Sequence, residues 1–209
     1  MRGSTQSEGG FDMLIFFDTE FTDLNIDPKL ISIGLVSEDG REFYAELSDT
    51  YVPKECGDFA RKAVLPLLQG GNFRMDFNTL ILLLGNWIED FGQPVQLATD
   101  SLSWDWPWIG KLFGTPGTWP ENLNKKPATS RDVTPLFSAI LIEKAFCSST
   151  PKLRRHHALD DAKANRFAWM MKDRLTDEEL AALKKSQDDA VEYFQKKYPS
   201  LRVMRGGEE

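Results

Sequence analysis

Two carboxylates lie two residues apart in Phe16-Phe17-Asp18-Thr19-Glu20-Phe21-Thr22, just after a short apolar run. In a strand the side chains at i and i+2 point to one face, so Asp18 and Glu20 project together where the buried length of the strand stops. Two anionic groups on one face repel each other unless a cation lies between them. A second group is Arg154-Arg-His-His-Ala-Leu-Asp-Asp-Ala162, in which Asp161 lies five residues after His156 and four after His157. With extended chain ahead of the helix expected there, His156 can swing over a cation held by Asp161. These are the only two histidines in the chain, so any imidazole chemistry belongs to this segment. A third group is Ser101-Leu-Ser-Trp-Asp105-Trp, with Asp100 and Asp105 both available. Each group has an ordinary reading on its own: a strand end returning to water, an acidic first helical turn that complements the helix dipole, a helix N-cap at Asp105. Together, four acidic side chains near element ends plus one histidine are the parts of two-metal phosphoryl chemistry, in which cations about 3.5–4 Å apart clamp the attacking and leaving oxygens. Oxygen ligands without sulfur favour Mg²⁺ or Mn²⁺ over zinc. A histidine titrating near ~6.5 is suited to take a proton from an attacking water.

The elements that must position these groups are legible in outline. Met13–Phe17 and Leu30–Val36 read as buried strands, Asp39-Gly40 as a two-residue hairpin turn, and Arg41–Leu47 as a third strand by its alternation. Tight links between the three predict an antiparallel meander. Asn78 is the expected cap of a helix reaching Glu89, with Leu80, Leu83, Leu84, Trp87 and Ile88 at helical spacing and Gly92 just past its end. Val95–Ala98 is a short fourth strand, and Asp105–Phe113 a helix with Pro107 in its first turn. Residues 114–130, rich in Pro, Gly and Asn, form the longest expected loop, followed by a strand-like piece at Arg131–Val133. Further helices are expected from Thr134-Pro135 to about Phe146, over Ala158–Lys172, and from the capping box Thr176–Glu179 to about Lys197. This order predicts an α/β domain over residues 13–173, preceded by a small polar leader (1–12) read as disordered, and followed by a helical C-terminal extension (174–209).

Composition narrows the class. The chain has 209 residues, roughly 1.4 average domains by length, and at this size it buries roughly 70% of its unfolded surface without staples. Two cysteines, Cys56 and Cys147, without a CxxC pattern exclude a disulfide scaffold and a thiolate zinc site, and fit a reducing, cytoplasmic compartment. No apolar run approaches the roughly 18 residues needed to span a bilayer. A net charge of −7 argues against a basic surface that grips long nucleic acid, although an acidic pocket still receives a phosphodiester when divalent cations bridge the two.

In the three motifs the sequence resembles the DEDDh family of 3′→5′ exonucleases, whose fold is ribonuclease H-like. The first motif stands as Phe17-Asp18-Thr19-Glu20, the second as Asp105 in SLSWDW, and the third as His156-His157-Ala158-Leu159-Asp160-Asp161-Ala162, in the family's order over roughly residues 13–172. The resemblance implies a mixed central sheet flanked by helices, two Mg²⁺ or Mn²⁺ ions held by Asp18, Glu20, Asp105 and Asp161, and His156 activating water. His157 falls on the family's variable position, and Asp161, not Asp160, on the ligand position. Ser101 stands where proofreading members usually carry Asn, which leaves Asp100 as the alternative to Asp105. FFDTEFT together with LISIGLVSEDGREFYAE is also similar to a small branch of bacterial and phage exoribonucleases that includes the mycobacterial poly(A)-specific enzyme.

The implied activity is a 3′→5′ exonuclease releasing nucleoside 5′-monophosphates, with RNA 3′ ends favoured over DNA. A deoxyribonuclease of the same family and a non-catalytic nucleic-acid-binding module are the alternatives. Thr22, as in relatives, is expected to touch the terminal nucleotide. Phe21 and Leu24 are placed to stack on or wedge against the last base, and a platform from Trp104, Trp106 and Trp108 is represented chiefly by Trp106. Arg131, Lys152, Arg154 and Arg155 flank the acidic centre as candidate phosphate contacts, and Asp132 either orients the site or caps the next helix. Leu180, Leu183, Val191 and Phe194 form a stripe on the last helix, expected to pack on the domain or to join a homodimer, as is common among relatives.

Overall fold

The computed structural model describes residues 12–25, 27–128 and 135–172, together with isolated positions between 176 and 196. Strands β1 (Met13–Phe21), β2 (Leu30–Ser37) and β3 (Glu42–Leu47) form the expected antiparallel meander. The β2–β3 turn closes through Gly40, whose φ of 90° is a conformation that favours glycine, and whose N–H donates to the Ser37 carbonyl at 2.9 Å. A two-residue strand β4 (Arg74–Met75) adds in parallel to β3. After helix α1 (Phe77–Glu89), strand β5 (Val95–Ala98) adds in parallel to the far side of β1, giving the order β4-β3-β2-β1-β5. Helices α2 (Leu102–Phe113), α3 (Pro135–Ser148) and α4 (Ala158–Lys172) complete the described elements. Among the described residues no helix is long and apolar enough to cross a membrane.

The alternation of β1 divides the core. Ile15 and Phe17 point to one face and pack with Leu80, Leu84 and Ile88 of α1 and with Ile109, Leu112 and Phe113 of α2, all essentially inaccessible. Burying a side chain of this size contributes about 1.5–3 kcal/mol. Phe16 points the other way with Val36 and meets Ala162 and Trp169 of α4. Asp18 and Glu20 share the parity of Phe16, so they emerge on the α4 face.

Several elements differ from the expectation. β1 continues to Phe21 because Thr19, Glu20 and Phe21 still pair with Ile33, Ser32 and Leu30, so the carboxylates stand within the strand and not past its end. The cap of α1 is Asp76, whose Oδ1 accepts the Thr79 N–H at 2.9 Å; Asn78 is already helical. Helix α2 begins at Leu102, which puts Asp105 in its first turn instead of at its cap, and Pro107 inside. The stretch between β3 and α1, where the sequence shows no regular period, is built of 3₁₀ turns at Pro53–Glu55, Leu65–Leu67 and Gly71–Phe73 and a wide π-type turn at Ala60–Val64. The Thr176–Glu179 capping box is present: Thr176 Oγ1 accepts the Glu179 N–H at 3.2 Å, and Glu179 accepts the Thr176 N–H at 3.0 Å. The leader up to residue 11, the piece at 131–133 with its Thr134 cap, and the stripe Leu180, Leu183, Val191 and Phe194 lie outside the described residues.

Candidate functional site

One row across the sheet sets the geometry. Asp18 pairs with Gly34, and Gly34 with Tyr44, so these three residues lie side by side on the face that α4 covers. Two residues along, Glu20, Ser32 and Glu46 form the next row. Gly34 is what admits the helix: a Cβ there would lie 2.2 Å from the Leu159 backbone nitrogen and 2.4 Å from the Ala158 carbonyl carbon. Ala158 and Ala162, both fully buried, complete the close approach. The first turn of α4 therefore rests on the row, with the His157 ring stacked on Tyr44 at 4.5 Å and Asp161 brought to Asp18.

Asp18 belongs to two groups of three carboxylates. In one, ligand oxygens of Asp18, Glu20 and Asp161 lie within 4.8 Å of one another; in the other, those of Asp18, Asp100 and Asp105 do. Asp105 is 2% exposed and fixed on both oxygens, accepting from Thr19 Oγ1 at 2.5 Å and Thr19 N–H at 3.2 Å on one, and from Thr99 Oγ1 at 2.6 Å on the other. Asp100 is exposed and accepts from Asn165 Nδ2 at 2.8 Å. The two alternatives of the second motif thus stand in the same group, one anchored and one at the rim.

Burial and mutual repulsion lift these acids. Asp18 is held well above the usual carboxylate range, first by burial and then by Asp105, Asp161, Glu20 and Asp100. Glu20 is pushed up to about 8 by burial, then by Asp161 and Asp105. Asp161 is pushed up to about 7 by burial, with the backbone amides of His156 and His157 pulling the other way. Asp105 rises only to about 6, because the Thr19 and Thr99 hydroxyls oppose its burial. Among the described residues no lysine or arginine forms an ion pair with any of the five carboxylates. Asp161 Oδ2 is buried without a hydrogen-bond partner. Hard oxygen donors, crowded and short of partners, fit divalent cations of the Mg²⁺ or Mn²⁺ type.

The doublets separate cleanly. His157 is 1% exposed and part of the packing, whereas His156 is half-buried with the Phe59 ring edge-on at 4.8 Å. Burial, and secondarily Arg155, lowers the His156 pKa and keeps the imidazole neutral and able to accept a proton. Asp160 accepts from the Arg154 N–H at 3.0 Å and Nε at 2.7 Å, which occupies it away from the cluster.

A pocket lined by Glu20, Phe21, Thr22, Asp23, Leu24, Phe59 and Ala60 opens beside the carboxylates. Leu24 and Phe59, two of its apolar lining residues, are 67% and 61% exposed. Thr22 is buried, and its hydroxyl accepts the Lys29 N–H at 3.0 Å, so it braces the turn that presents Leu24. Trp106 packs edge-on to Phe17 toward the core and Trp108 is 5% exposed, while Trp104 stacks on Phe21 at 5.9 Å and stays 44% exposed. Of the candidate phosphate contacts, Arg154 is paired with Asp160 and Arg155 with Glu143, Lys152 is exposed, and Arg131 and Asp132 lie outside the described residues. Phe59 was not singled out by the sequence, since it sits in a stretch without helix or strand period.

No family model matches the chain. Two Mycobacterium tuberculosis proteins, from strains H37Rv and CDC 1551 / Oshkosh and each named 3′-5′ exoribonuclease, are 30% identical to it over 170 residues, covering 72% of this chain and 88% of theirs. A solved structure, the Pan2 catalytic unit (protease and nuclease domain) of Neurospora crassa, aligns with 92% of the chain at 17% identity and a TM-score of 0.45, the chain spanning 31% of that one. The protein is a 3′-5′ exonuclease built on a mixed five-stranded sheet flanked by helices. It belongs to the 3′-5′ exoribonuclease family that the two mycobacterial proteins represent.

Proposed function

We propose that the protein removes nucleotides one at a time from the 3′ end of RNA, with Asp18, Glu20, Asp105 and Asp161 holding two Mg²⁺ or Mn²⁺ ions. The observation that carries this reading is the sharing of Asp18 between two carboxylate groups, Glu20 with Asp161 on one side and Asp105 with Asp100 on the other. When bound, the cations supply the positive charge that lets a phosphodiester enter an acidic pit and that clamps its attacking and leaving oxygens. His156, neutral before reaction, accepts a proton from water at a ring nitrogen as the water oxygen bonds to phosphorus. The bond from phosphorus to the 3′-oxygen of the preceding nucleotide breaks, and that oxygen takes a proton from solvent, leaving a new 3′-hydroxyl and a released nucleoside 5′-monophosphate. Phe21, Leu24 and Phe59 give the terminal base an apolar seat, and Thr22 holds the turn that shapes it. Preference for RNA is supported by the names of the mycobacterial relatives. Residues 13–173 form the catalytic domain in this reading, and the protein works as a homodimer.

The test is digestion of one oligonucleotide sequence, 3′-labelled or 5′-labelled, as RNA and as DNA, with Mn²⁺. Labelled mononucleotide released at once from 3′-labelled RNA, with a ladder of shortening products from 5′-labelled RNA, is expected. Faster loss of DNA would make the protein a deoxyribonuclease, and binding without cleavage would make it a non-catalytic module.

A further inference from the structure

His156 has a φ of 65°, the single non-glycine residue with positive φ among those described. Such a conformation persists only where the surroundings dictate it. What dictates it here is the residue that follows. The His157 ring is stacked on Tyr44 with 26° between the planes, and its Nε2 lies 2.9 Å from Gln69 Nε2. An amide nitrogen only donates, so His157 Nε2 accepts and the ring proton sits on Nδ1. Gln69 is held in turn: its own N–H and that of Gly70 donate to the Glu46 carboxylate at 2.5 and 2.9 Å, and the Tyr44 hydroxyl donates to the same carboxylate at 3.0 Å. The His157 carbonyl meanwhile accepts the N–H groups of Asp160 and Asp161 at 2.7 and 3.0 Å. The ring of this buried residue therefore anchors the backbone that carries His156, while its carbonyl separately closes the first turn of α4.

We infer that Gln69 is a positioning residue for the reaction: its amide clasps His157, and the clasp holds the neighbouring His156 in the left-handed conformation that sets its imidazole against Phe59 at the pocket beside the carboxylates. Gln69 touches neither the carboxylates nor the pocket beside them. Its effect passes through His156 alone, and the inference rests on His156 being the proton acceptor. Replacing Gln69 by Met keeps the length and removes the donor; Gln69→Asn keeps an amide but draws it back by one methylene. Either change leaves the His157 acceptor unmatched in a buried site and releases the backbone before it.

Gln69→Met is expected to lower kcat roughly tenfold to a hundredfold, the scale of a small displacement of a catalytic group, with KM changed less than about twofold. In the His156→Ala background the same substitution is expected to cost nothing further; an equal loss in both backgrounds would reduce Gln69 to a scaffold residue and overturn the inference. A second readout does not depend on activity. The chain contains two histidines, so the full-length protein gives two imidazole Cε1–H signals, one from each ring. Both are expected to shift in Gln69→Met and in Gln69→Asn while the thermal melt stays cooperative. A His156 signal unmoved in whichever variant folds contradicts the clasp. Absence of mononucleotide release by the wild type counts against the proposed function and leaves the spectrum to decide the clasp.

Discussion

Glu20 and Glu46 occupy one row of the same sheet face, separated only by Ser32 on the strand between. Glu46 is 2% exposed and receives three donors, from Tyr44, Gln69 and Gly70. Glu20 faces Asp18 and Asp161, and burial with their repulsion pushes its pKa up to about 8. One end of the row is thus a finished piece of structure and the other an unfinished one. A buried carboxylate with matched donors stabilises a fold, whereas a buried carboxylate surrounded by others destabilises it until a cation arrives. Function sits at the unfinished end, and the finished end holds the helix that completes it.

Asp18→Asn tests the unfinished end most severely. Turnover should fall below detection, since both carboxylate groups lose their shared member, while the melt in chelator stays level or rises because a repelling charge is gone. A variant with near wild-type rate would remove Asp18 from the reaction. His156→Ala should cost roughly 10²–10⁴ in kcat with little change in the melt, and His157→Ala should lower the melting temperature, because it opens a cavity against Tyr44 and strands Gln69, and should cost no more in kcat than breaking the clasp at Gln69 does. Gly34→Ala links the two ends: the added methyl meets the backbone of α4, which should cost about 1–3 kcal/mol and reduce activity as Asp161 moves off Asp18. The smallest effects compare the two glutamates. Glu46→Gln should cost about 1–3 kcal/mol by leaving buried donors unmatched. Glu20→Gln in chelator should stabilise, and only above the ordinary carboxylate range. The sign follows from linkage: with a folded-state pKa of about 8 against an ordinary 4.5, Glu20 binds more protons folded than unfolded between those values. The wild type without metal therefore loses stability as pH rises through that window, and Glu20→Gln removes part of the slope. Equal pH slopes for the two proteins would contradict the raised pKa.

The unfinished end was largely legible in the sequence. The spacing of Asp18 and Glu20, the single pair of histidines and the helix start at Ala158 are local patterns, and the motif order supplied the choice of His156 and Asp161. In the structure His157 is buried and Asp160 is paired with Arg154. The finished end was not legible. Glu46 reads as the polar side of an alternating strand, and Gln69 lies 88 residues from His157 in a stretch without period. Gly34 reads as one more small residue in an apolar run, and its role appears only when α4 is laid across it. Trp104 and Trp106 differ by two positions on a helix whose start was placed three residues late, and the resulting rotation decides which indole faces solvent.

Calorimetric titration with Mn²⁺ at pH 7.5, repeated in buffers of different ionisation enthalpy, tests the central claim most directly. The wild type is expected to bind two ions and to release protons as it does so, because carboxylates lifted to about 7 and 8 give up their protons to the cation. Asp18→Asn is expected to lose at least one ion and most of that proton release. Equal stoichiometry and equal proton release in the two proteins would contradict the account.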